Sequence, residues 1–150
     1  MPRTEEPPRR IFDPAAKMLH LPLGTPEFID RIVIGSIQQV GRQTLRMLIT
    51  TWATAGGGPF AASTVASTGM AKTAEIVEAV FIGPVFGPLL SALGADKVVL
   101  RASLCAAQLV GLGIVRYGLC SEPLHSMSVD DLVDAIGPTL QRYLVGDITR

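Results

Sequence analysis

From Lys97 to Leu119 the chain reads KVVLRASLCAAQLVGLGIVRYGL, and after Lys97 its only charges are Arg101 and Arg116. No proline interrupts it. Gly94 suits the end of a preceding helix and Asp96 an N-cap, so the stretch predicts the longest uninterrupted helix of the chain. Its apolar residues fall nearly all the way round, and a helix of that kind must be covered on more than one side. The small residues Ala102, Ala106, Gly113 and Gly118 let another helix come close. Leu104, Leu109, Leu112 and Val115 supply apolar area on adjoining faces. Two arrangements satisfy such a helix: pairing with a second copy of the chain, or burial inside a single-chain bundle.

A bilayer is the third cover to weigh. The run between Arg101 and Arg116 is fourteen residues and contains Ser103 and Gln108, short of the roughly 20 that a hydrocarbon core requires. The charge-free stretch from Met47 to Ala71 is longer, but its Gly, Ser and Thr content and its GGGP break argue against insertion. No N-terminal stretch has the basic start, apolar run and small-residue exit of a secretory signal. The expectation is a cytoplasmic protein with no membrane partner. With 13 Lys and Arg against 13 Asp and Glu in 150 residues, the chain has no overall positive field to attract a phosphate backbone. At 48% hydrophobic and 17% charged, it is long enough for one core, and some apolar surface is expected to be covered by a partner.

The rest of the chain also reads as helix. Residues 1–10, MPRTEEPPRR, have the composition of a disordered tail, and residues 11–150 read as one domain. Thr25, Pro26 and Glu27 give an N-cap, a first-turn proline and a first-turn acid. From Val40 to Ala55, Val40, Leu45, Met47, Leu48, Ile49 and Trp52 form an apolar stripe, with Arg42 and Arg46 four apart on the other side and Gly56 to Pro59 as the stop. Phe60 to Gly69 is a weak helix candidate. A further helix is expected from Ala71 to Leu93, bent where Gly83, Pro84, Gly87 and Pro88 interrupt it. The last helix starts at Ser128, with Asp131 three residues on as a variant capping box, and runs through Val129, Leu132, Val133, Ile136, Leu140, Tyr143 and Leu144. No segment sustains period-two alternation. The sequence therefore predicts an all-α bundle of about five to six helices.

Catalytic and metal chemistry find little support. Cys105 and Cys120, fifteen residues apart on one expected helix, stand about 22 Å apart along its axis and cannot bridge each other. They read as reduced core thiols. His20 and His125 lack a Cys or acidic partner at ligand spacing, so no metal and no cofactor is expected. There is no G-x-S-x-G, H-E-x-x-H or P-loop, and Gly56 to Gly58 precedes proline instead of the Lys and Ser or Thr of a phosphate cradle. Asp130, Asp131 and Asp134 suit the positive end of a helix without acid chemistry. An enzyme is not expected.

The string LRASLCAAQLVGLGIVRYGLCSEPLHSMSVDDLVDAIGPTLQRYL, from Leu100 to Leu144, resembles the end of the C-terminal domain of TetR-family regulators of the actinobacterial type. AAQLVGLGIVRY at Ala106 to Tyr117, EPL at Glu122 to Leu124 and PTLQRYL at Pro138 to Leu144 carry the resemblance together. It extends more loosely through VFGPLLSALGAD at Val85 to Asp96, back to about Leu19. The resemblance implies a repressor's regulatory domain that holds a small apolar ligand. It also implies a homodimer formed by the last two helices as a four-helix bundle, with Ala102, Ala106, Leu109, Gly113, Ile136, Leu140 and Tyr143 at the interface. For the cavity, Met47, Trp52, Phe60, Phe81, Phe86, Gln108 and Tyr117 would converge if the bent helix arches over the middle ones, as large apolar walls with a few polar groups. A TetR-like chain begins with a helix-turn-helix, and only a Pro-rich stub and residues 11–22 stand before the regulatory part here. A fragment, a start called too late and a natural remnant are all compatible with that. DNA would be a partner only through a helix-turn-helix supplied from elsewhere. The alternative is a structural or protein-interaction helical module with no ligand, such as a dominant partner of a full-length regulator.

Overall fold

The computed structural model describes residues 29, 36–57, 60, 75 and 77–149. The described elements are helical, with no strand among them, and the protein is all-α. The expected tail, the helix expected from Thr25 and the Phe60 to Gly69 candidate beyond Phe60 lie outside the described residues.

A 3₁₀ turn, Ile37–Gln39, opens into α1, Val40–Thr54. Val40, Gly41, Thr44, Leu45, Leu48, Ile49 and Trp52 are its buried positions, the recurrence of one helical face. Its end is set by glycine. Gly56 takes φ 66° while its N–H donates to the Ala53 carbonyl (3.4 Å) and the Gly57 N–H to the Trp52 carbonyl (2.8 Å), which is the Schellman pattern.

Val77–Phe86 winds as a π-helix and runs straight into α2, Gly87–Ala92, with Pro88 in the first turn of α2. The interruption expected at the Gly and Pro positions thus takes the form of wider winding, which suits residues that cannot donate to a regular ladder. At Gly87 a Cβ would stand 2.9 Å from the Ile82 carbonyl oxygen five residues back. Gly94, at φ 66°, closes α2 with a second Schellman pair, Gly94 N–H to Ser91 (3.1 Å) and Ala95 N–H to Leu90 (3.0 Å).

α3, Val98–Gly113, continues without a break as a π-helical segment, Ile114–Gly118. Together they make a helix of 21 residues with a mean hydropathy of 1.9, long and apolar enough by those measures to cross a membrane. The fourteen residues between its two arginines understate that length, because both arginines lie inside the helix and both are buried. Asp96 does not cap α3. Its Oδ1 accepts from Nη2 of Arg101 (2.9 Å), and Arg101 donates further to the carbonyls of Tyr143 (2.9 Å) and Gly146 (2.8 Å). Arg101 thereby caps the C-terminal end of α4, Val129–Val145, where carbonyls lack intrahelical partners. The other end of α4 is as expected, with Ser128 Oγ accepting the Asp131 N–H at 3.1 Å.

The tightest crossing is α1 on α4. A Cβ on Gly41 would lie 2.4 Å from the Gln141 backbone nitrogen, and one on Gly137 would lie 2.8 Å from Cγ of Arg42. The two backbones touch there. Gln141 fills the remaining bonds: its Oε1 accepts the Gly41 N–H (2.7 Å) and its Nε2 donates to the Ile37 carbonyl (2.7 Å). Along the same seam Arg42 pairs with Asp134 and Arg46 with Asp130. These are exposed pairs, worth at most about 1 kcal/mol each.

Gly41→Ala should lower stability by about 1–3 kcal/mol, as overpacking does, whereas Gly94→Ala, with open space around its Cβ position, should cost only about 1–2 kcal/mol for its left-handed backbone. Urea unfolding of both variants checks this, and an α1–α4 seam that accepted alanine freely would contradict the contact. A separate expectation concerns acid. The hydrogen bond from Arg101 holds the Asp96 carboxyl below its ordinary value of 3.8. The folded pKa is the lower one, so this stabilisation is present above pH 3.8 and disappears as pH falls through the folded value. Asp96→Asn should flatten the stability profile in that acid window and nowhere else.

Candidate functional site

Four aromatic rings meet in the middle of the fold. Trp52 comes from the last turn of α1, Phe81 from the first π-helical segment and Tyr117 from the second. Phe60 enters from the turn after α1, its N–H donating to the Gly57 carbonyl at 3.1 Å. Trp52 stands edge-on to Phe60, Phe81 and Tyr117, with centroids 5.1, 5.8 and 6.3 Å away. Phe60 stacks on Phe81 at 5.9 Å and 22°. Glycine makes room for it: a Cβ on Gly113 would fall 2.3 Å from Phe60 Cδ2. Of the candidate ligand residues, then, the fold gathers Trp52, Phe60, Phe81 and Tyr117. Phe86 is buried in the core and Met47 packs half-buried against it, while Gln108 lies elsewhere, on an outer groove.

Among the described residues, few polar groups lie around the rings. Tyr117 Oη donates to the Ile49 carbonyl at a long 3.5 Å. Trp52 Nε1 is fully buried and finds no acceptor among the described residues, at a cost of about 1–3 kcal/mol for an unmet donor. Beside Tyr117, Arg116 holds the α3–α4 connection: its Nη1 donates to the carbonyls of Leu124 (2.5 Å) and Met127 (2.8 Å), and its guanidinium lies 5.3 Å from the centre of the Tyr117 ring. His125 answers with Nδ1 at 3.0 Å from the Arg116 carbonyl oxygen. Nothing in the sequence periodicity marks Arg116 as a clamp, since its acceptors are backbone atoms eight and eleven residues on.

The second feature is on the outside. Leu104, Ala107, Gln108, Gly111, Leu112 and Val115 of α3 and its extension face Ile136 and Tyr143 of α4, with Leu124 at one end, around an open groove of about 380 Å³. Of the residues expected at a dimer interface, Ile136 and Tyr143 reach this groove. Ala102, Ala106, Leu109, Gly113 and Leu140 are buried within the single chain. The stripe of small residues serves intrachain packing, as Gly113 does under Phe60, and the neighbouring stripe one residue round the helix is the one left open.

With this geometry in place, comparison with family models gives a match to "Tetracyclin repressor-like, C-terminal domain" over residues 38–144. The chain belongs to this family of TetR-type regulators. Comparison with curated proteins and with solved structures finds no match.

The two thiols differ sharply. Burial pushes Cys105 up to about 12, so it carries no thiolate at neutral pH, and Cys120 is exposed. Iodoacetamide at pH 8 should label one thiol in the folded protein and two in denaturant, and Cys120→Ser should abolish the native label. Mass spectrometry of the labelled chain counts them, and a second native label would contradict the packing around α3.

Proposed function

We propose that the chain is a ligand-responsive, homodimeric regulatory domain of a TetR-type repressor, cytoplasmic and not an enzyme. The single observation that carries the pairing is the groove between α3 and α4. The helix Val98–Gly118 has a mean hydropathy of 1.9, yet only 39% of its apolar window is buried inside the chain. Val99, Leu100 and Leu119 are exposed on and just beyond it. A second copy laying its own α3 and α4 into the groove covers that surface, and the family supports this choice over a bilayer. Ala107 and Gly111 let the partner's backbone approach, while Leu104, Ile136 and Tyr143 supply contact area.

The ring cluster supports the ligand half of the reading: large aromatic walls, a glycine floor and one unmet donor. DNA enters this reading through a helix-turn-helix outside residues 38–144, on the same polypeptide or on a partner. A second reading has one observation in its favour. The rings stand at contact distance from one another, as in a filled core, and a helical interaction module with no ligand would look the same.

Light scattering after size exclusion should give a dimer at micromolar concentration. Ala107→Glu should give a monomer with unchanged helical circular dichroism, because the position is exposed and its charge would lie in the interface. A wild-type monomer would overturn the pairing. For the ligand half, a thermal-shift screen of small apolar compounds should yield hits, each stabilising by about 2.7 kcal/mol at a hundred times its Kd. A screen without hits favours the module.

A further inference from the structure

We infer that the ring cluster takes a flat aromatic ligand bearing a hydrogen-bond acceptor, which fills the seat now held by the Phe60 ring and accepts the Trp52 indole N–H. This rests on the ligand-binding reading above and adds the chemistry of the ligand to it.

Shape comes first. The Phe60 ring occupies a slot with three fixed sides. Phe81 is parallel to it at 5.9 Å, Trp52 is edge-on at 5.1 Å, and Gly113 lies so close beneath that even a methyl group would collide. A slot with a stacking wall and a backbone floor admits a flat ring and excludes a branched aliphatic group. The three walls stand on helices, but Phe60 enters from a turn. In this proposal the Phe60 side chain leaves the slot while the three walls keep their places.

Polarity selects the substituent. Trp52 Nε1 is buried and without an acceptor among the described residues, and its aromatic neighbours offer at most the weak attraction of a ring face. Buried donors in native folds are seldom left so. The group that satisfies an N–H is an acceptor such as a carbonyl or ether oxygen, and the seat of the Phe60 ring lies 5.1 Å from the indole, centre to centre, within the span of such a substituent.

The chain has one tryptophan, so its indole N–H gives a single cross-peak in a ¹⁵N-labelled sample. Phe60→Ala vacates the slot. Acetophenone and α-methylstyrene, alike in shape and size but with and without an acceptor, are the probes. Acetophenone should bind Phe60→Ala at least tenfold more tightly than α-methylstyrene and move the indole cross-peak downfield, and both should bind the wild type more weakly because Phe60 competes. Adding Trp52→Phe should erase the preference between the probes. Equal binding of the two, or an unmoved cross-peak, overturns the assigned chemistry while leaving an apolar ligand site standing. Binding of neither probe to a folded Phe60→Ala overturns the slot, and together with an empty thermal-shift screen it removes the ligand-binding reading as well. If Phe60→Ala does not fold, by circular dichroism, Phe60→Leu is read in the same way, since a branched side chain fills the seat less well than a ring.

Discussion

Where α1 crosses α4, Gly41 and Gly137 bring the two backbones into contact, and the placement of both candidate sites follows from that crossing. Backbone contact leaves no slack for the helices to roll, and Gln141, bonded to both Gly41 and Ile37, fixes how far one has slid along the other. Arg42 with Asp134 and Arg46 with Asp130 repeat the antiparallel register one turn on. The ion pairs are exposed and contribute little energy. What they add is direction, since a slip of one turn either way would leave only one of the two arginines opposite an aspartate. Trp52 lies eleven residues beyond Gly41, about 16 Å along the helix, so the seam at one end of α1 determines where the indole stands at the other.

The long helix is tied at both ends by buried arginines that act on backbone carbonyls. Arg101 reaches the last carbonyls of α4 and Arg116 reaches those of the α3–α4 connection. A guanidinium presents several donors in a fixed fork, so each arginine satisfies two backbone acceptors at a helix end or turn that have no partner in a regular ladder. This is why a helix so apolar tolerates charge near its ends. With α4 held along it at top and bottom, the side of α3 between the arginines stays open as the groove.

Much of this was readable in advance. Apolar recurrence gave α1, the Val98–Gly118 helix and α4, and Gly56, Gly94 and Ser128 marked helix ends through backbone rules that act locally. Family likeness located the regulatory domain. What periodicity could not supply was rotation. Ala102, Ala106, Leu109 and Gly113 differ from Leu104, Ala107 and Gly111 by about one position around the helix, and with apolar residues on every side no amphipathic contrast says which stripe turns inward. Arg42 and Arg46 read as a solvated face because their partners lie some 84 to 92 residues away. Asp96 was a sound N-cap by type, but a buried arginine five residues on competed for its carboxylate more strongly than the helix N–H groups did. Gln108 went to the groove instead of the rings for the same rotational reason.

The two sites share α3, and that sharing limits how one could act on the other. Gly113 forms the floor under Phe60, while Leu112, its immediate neighbour, lines the groove. A molecule in the ring cluster can alter pairing only if it is bound with different affinity when α3 stands in two positions against α1 and α4. The α1–α4 seam is locked by backbone contact, so it is a poor place for such a change. The first π-helical segment, packed on the other side of α3, is the better candidate, since its π winding already departs from a regular ladder. A shift of α3 on that side would carry Leu112 and Val115 with it. Coupling between two such sites would be reciprocal, so a ligand that favoured pairing through α3 would be bound more tightly by the paired form to the same degree.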